Sequence, residues 1–153
     1  MAKEPVDNTR NVLQPTPDND AEKKTEGRWE WLASLEPRHG GGGFEAMHGS
    51  PRQPITEYVL PSDPEMDPIK IADIFSAMSQ HVAFVGHTHF PGILEEHNES
   101  FLMLSSISNR YRISENTRAI INVGSVGQPR DRNPRSCYLV YDGEFVNYRR
   151  VKY

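Results

Sequence analysis

The run Val82-Ala83-Phe84-Val85 constrains the fold more than any other feature of the sequence. All four residues are apolar, and the run stops at Gly86. A half-exposed strand alternates apolar with polar residues, so a continuous run of this length reads as a strand buried on both faces. Just upstream, Ile71, Ile74, Phe75 and Met78 recur at the i, i+3, i+4, i+7 spacing of an amphipathic helix. Asp67-Pro68 suits the start of that helix, with the aspartate as N-cap and the proline at the first helical position. A core-facing helix that leads into a fully apolar strand predicts a layered α/β (α+β) fold.

The remainder is strand-rich. Phe44–Met47, Ile93–Leu94, Phe101–Leu104, Tyr111–Ile113, Ala119–Val123, Tyr138–Tyr141 and Phe145–Val151 are the candidates. Asp142-Gly143 is a two-residue hairpin signal between the last two. The alternation along the final strand predicts an edge or near-edge position. Residues 26–35 predict a first helix, with Trp31, Leu32 and Leu35 on one face and Pro37 ending it. His39 and Gly40–Gly43 predict a flexible turn. Pro51, Pro54, Pro61, Pro64 and Pro68 predict an irregular stretch before the second helix.

Residues 1–26 hold few apolar side chains, three prolines and many charges, which predicts a flexible polar tail. Residues 27–153 then form the folded domain. The net charge of −4 and the lack of a basic cluster with aromatics disfavour nucleic-acid binding. No apolar run is long enough to span a bilayer, so no membrane association is expected. Cys137 is the single cysteine, and the expectation is a cytoplasmic protein.

Three loops place polar groups directly after apolar strands, where α/β sheets build their sites. They are His48-Gly49-Ser50-Pro51-Arg52, Gly86-His87-Thr88-His89 and Gly124-Ser125-Val126-Gly127-Gln128-Pro129-Arg130. Two imidazoles two residues apart on a turn can serve one metal or two neighbouring ones. Two histidines satisfied by local hydrogen bonds would give the same pair. His48 is a credible third ligand, and Arg52 could take a phosphate oxygen in its planar fork or sit in a surface salt bridge. His39 and His97 read as solvated, His81 as a strand-boundary residue, and Cys137 as a small buried side chain.

Taken in order, His48 to Arg52, Gly86 to His89 and Asn122 to Arg130 resemble the carboxy-terminal half of the calcineurin-like metallophosphoesterases, in their small bacterial branch. The resemblance covers roughly residues 29–153. It implies an incomplete four-layer αββα sandwich, represented by its strand-rich carboxy-terminal half. It implies a metal-dependent hydrolase of phosphate mono- or diesters that uses hydroxide activated between two divalent ions, Mn, Fe or Zn. His48 and His87 would be ligands of one metal and His89 of the other. Arg52, Asn122, Ser125 and Arg130 would match substrate-binding or supporting positions.

The family's Asp-x-His, Gly-Asp and Gly-Asn-His elements do not occur in this sequence. They would supply the bridging carboxylate and most of the remaining ligands. Two divalent ions need a bridging anion, and three neutral imidazoles bring none. The expectation is therefore a chain that binds at most one metal ion weakly and is inactive alone, unless a separate chain supplies the amino-terminal half. The alternative is a non-catalytic relic of the fold that binds a partner, a single metal or phosphate. In the phosphate version, Arg52, Arg130 and the amides of the Gly-Ser-Val-Gly loop do the binding.

Overall fold

The computed structural model describes residues 28–152. The tail expected over residues 1–26 lies outside them. The chain divides into a unit ending at Glu36 and a second unit from Pro37. In the first, helix α1 (Arg28–Ala33) is closed by Ser34 Oγ, which donates to Trp31 O at 2.7 Å. Its Trp31 and Leu32, and Leu35 just beyond it, are exposed, so the apolar stripe read from the sequence is not a core face here.

The second unit opens with a strand where the sequence predicts a flexible turn. β1 (Arg38–Gly41) pairs antiparallel with β2 (Phe44–Met47). Gly42 and Gly43 form the connection with φ of 63° and 88°. Positive φ at both loop residues is the requirement of a type I′ hairpin, and glycine meets it without strain. Helices α2 (Asp63–Met66) and α3 (Pro68–Ser76) follow. Asp67 caps α3 by accepting from Lys70 N at 3.0 Å, and Ile71, Ile74, Phe75 and Met78 are buried as the spacing requires.

The remaining strands are β3 (Val82–Val85), β4 (Gly92–Glu95), β5 (Leu102–Met103), β6 (Arg110–Arg112), β7 (Ala119–Asn122), β8 (Ser136–Tyr141) and β9 (Phe145–Val151). A six-stranded sheet has the order β1-β2-β3-β7-β4-β5. β2, β3 and β7 run parallel at its centre. Both faces of that centre are covered, which is why β3 is apolar throughout and the polar residues of its neighbours, Glu45 on β2 and Asn122 at the end of β7, are buried with partners. Ala83, Val85, Ile120 and Leu94 face α3 and Val59. Val82, Ile121, Ala119 and Ile93 face a second sheet and pack on Val146, Tyr148 and Cys137. Phe44, Phe84 and Tyr141 tie the sheets together edge to face, with ring centroids 5.4–6.2 Å apart.

The second sheet has the order β6-β9-β8. β9 is therefore its middle strand, next to both edges, which is the near-edge of the two expected positions. Its alternation arises because one face packs on the large sheet while Arg149 and Val151 face outward. The turn before it also shifts by one residue. Asp142 N donates to Phe145 O at 3.2 Å, so the loop is Gly143-Glu144. Asp142 holds it by accepting from the Glu144 and Phe145 amides at 3.1 and 2.6 Å. The strand expected over Phe101–Leu104 is shorter, because Leu104 enters a 3₁₀ turn, Leu104–Ser106. Among the described residues the layers are helix, sheet, sheet. On the outer face of the small sheet Tyr138, Val140 and Val151 are exposed.

Candidate metal centre

Parallel pairing of β2, β3 and β7 brings their carboxyl ends to one side of the sheet. The three loops singled out in the sequence all emerge there. His48 O accepts from Gly86 N at 3.0 Å and His87 N at 2.9 Å, which stitches the first loop to the second.

The His48-to-Arg52 loop is tight. Gly49 N donates to Pro54 O at 2.6 Å. A Cβ on Gly49 would lie 2.4 Å from Gln53 O, so only glycine permits this closure. Ser50 is fully buried; its Oγ accepts from Gln53 N at 2.9 Å and donates to Glu57 Oε2 at 2.5 Å. Arg52 donates to Glu57 Oε1 at 2.5 Å and Asp73 Oδ2 at 3.1 Å, so its guanidinium is already matched by carboxylates. Burial alone would raise the Glu57 carboxyl, but hydrogen bonds from Arg52 and Ser50 outweigh it and hold it below its ordinary range.

His48 Nε2 and His87 Nδ1 approach to 2.7 Å. Two imidazole nitrogens at that distance share one proton, the position a cation would take over. The Tyr58 ring stacks on His87 with centroids 3.9 Å apart. Partial burial, then the charges of His87 and His89, depress the His48 pKa and favour the neutral ring that a metal requires.

His89 Nδ1 lies 2.8 Å from Gln128 O. A carbonyl only accepts, so Nδ1 carries the proton and Nε2 is left with the lone pair. The His89 backbone is left-handed, φ 62°, with its N–H on Gly86 O at 2.8 Å. Asn122, at the end of β7, is buried. Its Nδ2 donates to Thr88 Oγ1 at 2.7 Å and its Oδ1 accepts from Gly124 N at 3.0 Å, joining the second loop to the third. Ser125 Oγ accepts from Gln128 N at 2.9 Å and Gly127 N at 3.3 Å. Arg130 is exposed, and its N–H reaches His89 O at 3.4 Å.

The structure thus brings His48 and His87 together and orients His89 beside the third loop. Among the described residues no group of three or more histidine, cysteine or acidic side chains is arranged to hold a metal ion. Glu45 is on the opposite face of β2, buried against Arg38 and Ser79. Glu96 pairs with Arg118. The donors present fit the nitrogen side of a cation site. They do not fit a pair of cations, because no carboxylate stands between them. His81, with Nε2 2.8 Å from Ser114 O, and exposed His39 and His97 are apart from this cluster. Tyr58 lies outside the three loops and has no signal in the sequence, whereas Thr88 and Gln128 fall within them, the one between the two histidines and the other before Pro129-Arg130.

The fold is that of the calcineurin-like metallophosphoesterases. A metallophosphoesterase of Sphaerobacter thermophilus superimposes with a TM-score of 0.68 and 29% identity, over 92% of this chain and 62% of that one. A hypothetical protein of Pyrococcus horikoshii shares the fold at TM-score 0.53 and 17% identity, over 94% of this chain and 55% of that one. In sequence, an uncharacterized protein of Methanocaldococcus jannaschii is 33% identical over 96 residues, which are 62% of this chain and 34% of that protein. The chain spans less than two-thirds of the length of each. No protein-family profile matches it. No helix among the described residues is long and apolar enough to cross a membrane.

Proposed function

We propose that this chain supplies the histidine side of a two-metal site that hydrolyses phosphate mono- or diesters, and that the chain alone does not turn over. The observation that carries this reading is the 2.7 Å approach of His48 Nε2 to His87 Nδ1, at the ends of adjacent parallel strands. His48 and His87 would hold one divalent ion and His89 would contribute to the other, with Mn, Fe or Zn suited to such donors. A cation held there polarises a phosphoryl oxygen.

The chain's own residues prepare that position. Gln128 fixes the His89 tautomer, and Asn122 and Ser125 hold the second and third loops in place. Exposed Arg130 is available to a phosphate oxygen, whereas Arg52 is committed to Glu57 and Asp73. The carboxylates would come from an amino-terminal half bearing Asp-x-His, Gly-Asp and Gly-Asn-His. A free buried thiol at Cys137 suits a reducing, cytoplasmic setting.

The test is titration of the full chain with Mn²⁺ or Co²⁺, followed by calorimetry and, for cobalt, visible absorption. One weakly bound ion per chain is expected, lost in His87→Ala. Cobalt binding that is undiminished in a His48→Ala/His87→Ala double variant would remove the reading.

A further inference from the structure

We propose that the Asp131–Arg150 ion pair is a positioning clamp that sets the tautomer of His89. Its meaning for function rests on the reading of His89 as a metal ligand, but the geometry stands apart from it. The segment between β7 and β8 is irregular and includes a left-handed residue, Arg132, φ 66°. Such a segment lacks ladder hydrogen bonds, yet it must hold Gln128 O at 2.8 Å from His89 Nδ1.

Its first part is fixed locally. Cys137 N donates to Ser125 O at 2.8 Å, and Ser125 Oγ gathers the Gly127 and Gln128 amides. Its second part has a local bond from Arg135 N to Asn133 Oδ1 at 3.2 Å and is tied to the sheet by one side chain. Arg150, on β9 opposite Cys137, donates through Nη1 to Arg135 O at 3.1 Å and through Nη2 to Asp131 Oδ2. Asp131 adjoins Arg130, whose amide bonds His89 O. The clamp therefore closes on the same loop that meets His89 through both its ring and its backbone.

Stability does not account for this pair. The Asp131 and Arg150 side chains are only 8% and 11% exposed. Asp131 Oδ1 and Arg150 Nε are buried with no partner in the structure. A buried pair with unsatisfied atoms is at best a neutral contributor compared with apolar packing. What the pair does supply is a fixed direction and depth for the loop. His89 needs that support, because its left-handed backbone is itself an unfavoured conformation.

The experiment is long-range ¹H–¹⁵N correlation NMR of the histidine rings in the full chain. It is run in EDTA at a pH where the rings are neutral, so its result does not depend on metal binding. Wild type should show His89 as the Nδ1–H tautomer, with well-separated donor and acceptor ¹⁵N resonances. In Asp131→Asn and in Arg150→Lys those two resonances should move toward each other. The Lys variant keeps the charge but cannot span Arg135 O and Asp131 together. The His81 pattern, set by Ser114 O, should stay unchanged and so exclude general loosening. A folded variant with the wild-type His89 pattern overturns the proposal. An Nε2–H or averaged His89 in the wild type also overturns it, even if neither variant folds. A normal tautomer shift without any Mn²⁺ or Co²⁺ binding would instead strike the metal reading and leave the clamp standing.

Discussion

Asn122 Nδ2 lies 2.7 Å from Thr88 Oγ1, and both side chains are buried, so the end of β7 holds the middle residue of the His87–His89 turn. Truncating Asn122 to Ala strands the Thr88 hydroxyl and the Gly124 amide. Asn122→Ala should lower unfolding free energy by about 1–3 kcal/mol. Thr88→Val, which keeps the shape, should cost less. A double-mutant cycle read by urea denaturation should show coupling between the two, and additive effects would contradict the contact.

Gly49 permits the loop closure that sets Tyr58 over His87. Gly49→Ala would drive a Cβ into Gln53 O and crowd the Glu57 amide. A loss of about 1–3 kcal/mol is expected, measured by thermal or chemical unfolding. An unchanged midpoint would mean the loop relaxes freely.

The hydrogen bond from Arg118 is the largest influence on Glu96 and holds its carboxyl below the ordinary 4.5. A carboxylate with a depressed folded pKa stabilises the fold above its unfolded pKa, and loses that contribution as pH falls through the folded value. Stability should therefore decline from about pH 4.5 downward, partly through this pair. In Glu96→Gln the decline over that window should be shallower. Equal slopes in the two chains would assign it to other groups.

The isolated chain with Mn²⁺ should hydrolyse an activated aryl phosphate diester far more slowly than ~1 per second, the low end of ordinary turnover. Addition of a polypeptide carrying Asp-x-His, Gly-Asp and Gly-Asn-His should raise the rate, and His89→Ala should abolish the gain. Ordinary turnover by the chain alone, lost in His89→Ala, would show that three imidazoles suffice.

How far the sequence foretold this structure depends on whether the deciding interaction was local. Helix α3 was legible because its period, cap and first-turn proline agree. β3 and the Ala119–Ile121 run of β7 were legible because strand positions covered on both faces are apolar. β1 was not: Arg38-His39-Gly40-Gly41 has no side-chain pattern, and its pairing is decided by backbone freedom at Gly42 and Gly43. Alternation along β9 left an edge and a near-edge position equally open, since it reports which face is wet and says nothing about neighbours. Within the site, the histidines stood out as a pattern, while the stacking of Tyr58 on His87 depends on a loop folding back over a long separation. The commitment of Arg52 to Glu57 and Asp73 likewise depends on partners that no local spacing reveals.

The left-handed backbone at His89 sets stability and chemistry against each other at a single position. A β-carbon in that region is disfavoured, and glycine removes the conflict. Replacing His89 with glycine would thus relieve the fold while deleting the imidazole. Breeding this chain for heat tolerance, with no demand on its chemistry, would tend to erase His89 early.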